Sequence, residues 1–192
     1  MSISKRKFKL TLDQLVEGIV WSSHAPTDTS KVDWMLLKET FEPSDENSET
    51  RLKFEYNFFC FSIRCFRYSS YLQTKNGKKV PIFGEMTVKF LKSHLQEIFS
   101  SDIIENLCDI YATRIKSYES SYNSPNQIQN TANLFRWHIE YGLKNEDDGL
   151  NPVKYSEVCT SDSNSRGWAE CIAITENQFN LIDEHIKIIK II

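Results

Sequence analysis

Glycine and proline are scarce, six and five among 192 residues. Folds built on many tight turns draw on both residues, so the shortage argues against them. It also leaves little material for glycine-rich phosphate loops. The chain has no Gly-x-Ser-x-Gly elbow, no Gly-x-x-x-x-Gly-Lys cradle and no Gly-x-Gly-x-x-Gly turn, which removes the common signatures of serine hydrolases, P-loop enzymes and dinucleotide-binding folds. Cysteine is low and odd in number: Cys60, Cys65, Cys108, Cys159 and Cys171 fit no paired framework. The basic stretch from Met1 to Lys9 is not followed by the apolar run of a secretory leader. The expectation is reduced thiols acting as small apolar fillers in a cytoplasmic protein. Nothing approaches the roughly 18 to 20 consecutive apolar residues of a membrane span, so no membrane partner is expected.

Metal-ligand spacings are missing as well. There is no Cys-x-x-Cys pair and no set of Glu-x-x-His pairs for a dinuclear bundle site. His94-x-x-Glu97 occurs once, in reversed order, and Cys159, Cys171 and His185 are scattered. No metal and no cofactor is expected.

What is present reads as helix. The chain is 40% hydrophobic and 26% charged, ordinary for a folded globular protein. Thr11 with Gln14, Asp102 with Glu105, Ser124 with Gln127 and Thr175 with Gln178 all have the spacing of reciprocal helix caps. Pro125 is pre-set for a first helical position. Apolar residues recur every third or fourth place behind these starts: Leu12, Leu15, Val16 and Ile19; Ile104, Leu107, Tyr111, Ile115 and Tyr118; Ile128, Phe135 and Ile139; Phe179, Ile182, Ile186 and Ile189. Val32, Met35 and Leu36 mark a short helix ending near Pro43, and Val88, Leu91, Leu95 and Ile98 stripe another. Glu42 to Thr50 reads as an acidic loop.

Residues 51 to 74 carry both a strand-like alternation and a helical stripe through Leu52, Tyr56, Phe59, Ile63 and Phe66. No turn residue interrupts them, and their length favours a central helix apolar on most sides over a strand. Lys75-Asn76-Gly77-Lys78 then ends it, with a left-handed cap at Asn76 or Gly77 or, as the rival, a hairpin around Asn-Gly. The helical rhythm fails from Val153 to Ile174, where either a small β-hairpin or an irregular arm is expected. The fold expected is mainly α, an antiparallel helical bundle of about six or seven helices, forming one helical domain over residues 1–192.

Charge is distributed unevenly. Arg51 to Lys92 holds nine bases and two acids, a net of +7, whereas Ser93 to Ile192 nets −7 and the first fifty residues −3. Arg64, Arg67, Lys75, Lys78 and Lys79 therefore form a candidate basic surface, unless the excess is paired internally against the acidic half. The end of the chain, His185 to Ile192, is rich in isoleucine; Ile188 and Ile192 fall off the stripe of the last helix, and with Ile191 they are candidate contact residues for a partner or a second copy of the chain. His138, between Arg136-Trp137 and Glu140, is the histidine to inspect, since burial there would shift its pKa.

The function expected is non-catalytic: a helical protein acting by protein–protein interaction, of the accessory-subunit, inhibitor, immunity or effector type. One alternative is a nucleic-acid-associated subunit using the basic residues of 64–79; the sequence pI of about 5.8 leaves only a local patch for that role. A second is a helical enzyme or cofactor-binding protein centred on His138 with Trp137 and Glu140.

Overall fold

The computed structural model describes residues 7–24, 28–144 and 167–192. Within them the chain runs β1 (Phe8–Leu10), α1 (Leu12–His24), α2 (Asp28–Phe41), α3 (Glu46–Asn76), α4 (Lys79–Ile98), α5 (Ser101–Tyr122), α6 (Gln127–Lys144), α7 (Trp168–Ile188) and β2 (Ile189–Ile191). The protein is mainly α-helical, as its periodicity predicts. No described helix is long and apolar enough to cross a membrane.

The 31-residue α3 organises the rest. Asp45 caps it by accepting from the Ser48 amide at 2.7 Å, and Glu46 and Glu49 in its first turn complement the positive end of the helix dipole. The segment 42–50 is thus a shorter loop than expected, because Asp45 starts a helix inside it. From Phe58 to Cys65 every side chain of α3 is buried, which requires neighbours on all sides. Accordingly α3 contacts each of the other six described helices. Its aromatic rings set the packing: Phe59 stacks on Phe135 of α6 with centroids 4.0 Å apart, and Phe58 meets Tyr111 of α5 edge-on at 4.6 Å. Such pairs add about 0.5–1.5 kcal/mol each beyond the area they bury.

α3 ends where expected, at Asn76, but Gly77 is right-handed, with φ −56°. No left-handed cap forms, because α4 begins two residues later and the chain merely steps from one helix into the next. The Asn-Gly hairpin is excluded for the same reason. The expectation of a hairpin or irregular arm within 153–174 is overturned at its end: Trp168 to Ile174 belong to α7, and 153–166 lie outside the described residues. Thr175 and Gln178 are not a cap; both are buried inside α7, with the Thr175 hydroxyl donating to the Cys171 carbonyl at 2.7 Å. Of the remaining predicted caps, Thr11 and Gln14 form the reciprocal pair at 3.0 and 3.2 Å. Asp102 falls inside α5, which starts at Ser101, and Ser124 donates back to the Ser121 carbonyl at 2.6 Å instead of capping α6.

The isoleucine-rich end is also corrected. Helix α7 stops at Ile188, and Ile189 to Ile191 form β2, as β-branched residues favour. β2 pairs in parallel with β1, Phe8 facing Ile189 and Leu10 facing Ile191, and the Ile192 amide donates to the Leu10 carbonyl at 2.9 Å. This short ladder joins the two ends of the described chain and borders two cavities.

Candidate functional site

The basic segment divides into two parts. Arg64 and Arg67 turn inward. Arg67 donates through Nη2 to Asp183 of α7, and its guanidinium lies 5.1 Å from the centre of the Phe179 ring, so its charge is paired within the bundle. Arg64 sits one turn earlier and is 8% exposed. Its Nη1 is buried with no hydrogen-bond partner. Neither arginine shares an exposed face with the lysines that follow.

Those lysines face outward. Lys75 and Lys78 are exposed and Lys79 is half-buried. Lys75 and Lys79 line a cavity of about 390 Å³, and Lys7 and Lys190 join them there. The wall is completed by Tyr71, Leu72, Asn76, Ile189 and Ile191. Four lysines from four separate segments thus rim one groove with an aliphatic floor, and no carboxylate lines it. Lys78 precedes Lys79 in the α3–α4 link and does not contribute to this wall. The Tyr71 hydroxyl points to the Ile189 carbonyl at 3.5 Å, tying α3 to β2 beneath the lysines.

The C-terminal isoleucines separate in the same way. Ile191 lines the groove, whereas Ile188 and Ile192 are exposed. The partners Lys7 and Lys190 carry no signal in the sequence, because only the β1–β2 pairing brings them to Lys75 and Lys79.

A second cavity, of about 370 Å³, lies between α1, α3 and α7. Leu10, Leu15, Ile19, Leu181 and Ile182 give it apolar walls, and Gln14, Gly18, Ser22, Arg64, Tyr68 and His185 complete it. The Tyr68 hydroxyl and His185 Nδ1 are 2.5 Å apart. Burial lowers the His185 pKa below the usual histidine value, which favours the neutral ring.

His138 is fully buried and lines neither cavity. Its Nε2 lies 3.2 Å from the Ser117 hydroxyl, and burial, reinforced by the Arg114 charge, holds its pKa well below the usual value. Glu140 reaches back to Arg136 at 3.3 Å rather than to His138, and Trp137 is half-buried on the adjoining side of α6. A proton-transfer group needs reach to a substrate, and this imidazole is instead packed 5.6 Å from the Tyr118 ring.

Two further polar clusters stabilise the interior. Arg114 of α5 donates through Nε to Glu55 of α3 at 3.0 Å and through Nη2 to the other carboxylate oxygen. Asp33 of α2 is buried and accepts from Tyr56 at 3.1 Å, Gln178 at 2.7 Å and Asn177 at 3.1 Å. His94 and Glu97 approach only to 4.0 Å; Cys171 is buried in the core, and Cys159 lies outside the described residues. Among the described residues no three His, Cys, Asp or Glu side chains gather as a metal site needs.

The chain matches no protein-family model, no curated protein and no solved structure.

Proposed function

We propose that this is a non-catalytic helical binding protein whose lysine-rimmed groove receives an acidic segment of another protein. The observation that carries the reading is the convergence of Lys7, Lys75, Lys79 and Lys190 on one cavity with no carboxylate in its wall. Four like charges in one groove repel one another, and an anionic occupant relieves that repulsion. The floor of Leu72, Ile189 and Ile191 suits side chains that alternate with the acids of a peptide more than it suits a sugar–phosphate backbone. Nucleic-acid grooves supply aromatic platforms for successive bases, whereas Tyr71 is the one aromatic residue here. The chain's net charge of −3 also works against a long polyanion.

Binding of three probes separates the readings: a synthetic peptide alternating Glu and Leu, a single-stranded oligonucleotide, and poly-Glu. The peptide should bind best, weaken as salt is added, and lose at least tenfold in affinity when all four lysines become glutamine. Tighter binding of the oligonucleotide would move the assignment to nucleic acid, and retention of the peptide by the glutamine variant would remove the groove from the function.

A further inference from the structure

We propose that the cavity between α1, α3 and α7 binds a small aliphatic monocarboxylate, with Arg64 as the anchor for its carboxylate. The argument starts from charge. A guanidinium does not lose its proton in proteins, and a buried charge is tolerated when it is paired or hydrogen-bonded. Arg64 is 8% exposed, its Nη1 has no partner, and among the described residues no carboxylate pairs with it. Each buried or half-buried acid nearby is engaged elsewhere: Glu55 by Arg114, Asp183 by Arg67, Asp33 by Tyr56, Asn177 and Gln178. The missing counter-charge has a place to come from, since Arg64 lines an apolar cavity.

The walls define the ligand. The volume of about 370 Å³ lies at the small end of ligand sites, roughly 300–1,000 Å³. Leucine and isoleucine dominate the lining, which suits a short aliphatic body. Gly18 faces open space, because a Cβ built there meets nothing within 4 Å. Arg64 is the one fixed charge in the wall, His185 being held toward its neutral form by burial. One cation matches one negative charge, which selects a carboxylate over a phosphate dianion. A carboxylate also fits the planar donor fork of arginine in two parallel hydrogen bonds.

The test is titration calorimetry with sodium octanoate on the native chain and two variants, Arg64→Met and Gly18→Leu. The Met variant removes the charge and keeps the volume; the Leu variant fills the cavity from a position with room for it. Octanoate should bind the native chain one-to-one, and each variant should lose at least tenfold in affinity. Octan-1-ol and octyl phosphate should both bind at least tenfold more weakly than octanoate. Arg64→Met should melt at or above the native temperature, because it removes a buried charge that no carboxylate pairs. The proposal is overturned by the absence of saturable octanoate binding, by unchanged affinity in Arg64→Met, by preferred binding of octyl phosphate, or by a lower melting temperature for Arg64→Met. That last result would mean that the fold itself satisfies the guanidinium. None of these readouts involves the four groove lysines, so this site and the groove succeed or fail separately.

Discussion

Arg114 and Arg64 are both buried arginines that pack against α3 or belong to it, yet the fold treats them differently. Arg114 is fully enclosed and meets Glu55 through two hydrogen bonds, with its guanidinium also 5.8 Å from the Phe58 ring centre. Arg64 lines a cavity, and its Nη1 has no hydrogen-bond partner. The first charge is spent inside the molecule and specifies how α3 seats against α5. The second is left open toward a space the size of a small ligand. Burial alone does not mark a functional cation; the carboxylate site proposed above rests on burial without a paired carboxylate beside a cavity. The lysine groove supplies the third case, charges gathered at the rim of a surface cavity with no carboxylate in its wall.

The sharpest way to break this comparison is to give Arg114 the condition of Arg64. Glu55→Gln removes a counter-charge from an enclosed arginine that lines neither of the two cavities described above. It should cost about 3–5 kcal/mol, read as a lower urea midpoint with an unchanged slope. Replacing both partners, Glu55→Leu with Arg114→Met, should recover most of that loss, because neither desolvated charge remains. Burial pushes the Glu55 pKa up while the Arg114 charge and hydrogen bonds oppose the shift, so Arg114 offsets part of the desolvation cost of the carboxylate. A small effect of Glu55→Gln would mean that Arg114 does not depend on it, and the contrast with Arg64 would collapse.

The next effect concerns buried bases that can do what arginine cannot, namely shed the proton. His24 lies between Tyr111 and His94, its Nδ1 2.7 Å from the Val20 carbonyl. Burial chiefly lowers its pKa to about 4, with smaller repulsion from His94 and Arg64, and only the Val20 bond acts the other way. In the unfolded chain the same ring titrates near 6.5. Between those values the unfolded state binds the proton and the native state does not, so stability falls as the pH drops through the window. His24 alone should remove about 2 kcal/mol between pH 7 and pH 5. His24→Asn, compared with the native chain at both pH values, should show a correspondingly flatter dependence. An equally steep decline in the variant would assign the acid sensitivity to other groups, His138 first among them.

The same physics explains what the sequence could and could not disclose. The helical class, the central aromatic helix and the Thr11–Gln14 cap were legible, because each depends on residues a few positions apart. Where burial of polar side chains decided the outcome, periodicity misled. The spacing of Val32, Met35 and Leu36 predicts an inner face for α2, but Val32 and Met35 are exposed and Asp33 and Leu37 are buried; the helix is rotated because Tyr56, Asn177 and Gln178 satisfy Asp33. Thr175 and Gln178 imitate a cap yet serve the interior. Val88 and Ile98 likewise extend the predicted stripe of α4 but are exposed. Of the five basic residues that the sequence singles out, Lys75 and Lys78 are exposed and Lys79 half-buried, while Arg67 is drawn in by Asp183 of α7 and Arg64 is buried. Lys7 and Lys190 were illegible, since a three-residue parallel pairing between distant segments leaves no local pattern.

The smallest effect on stability carries the most information about binding. Lys75→Gln with Lys79→Gln removes two solvated charges from the rim and leaves the aliphatic floor in place. Surface substitutions of this kind change stability by about 0.5 kcal/mol or less, and easing the repulsion among four lysines pushes that change toward stabilisation. Affinity for the Glu-Leu peptide should nonetheless fall several-fold, and its dependence on salt should become shallower, because screening acts on the charges that were removed. Octanoate binding at the Arg64 cavity should stay at the native value. A variant that loses peptide and octanoate together would show that the two cavities share one transition through the β1–β2 ladder. Loss of the peptide alone would leave two independent uses of positive charge, one steering from solvent and one holding a ligand inside.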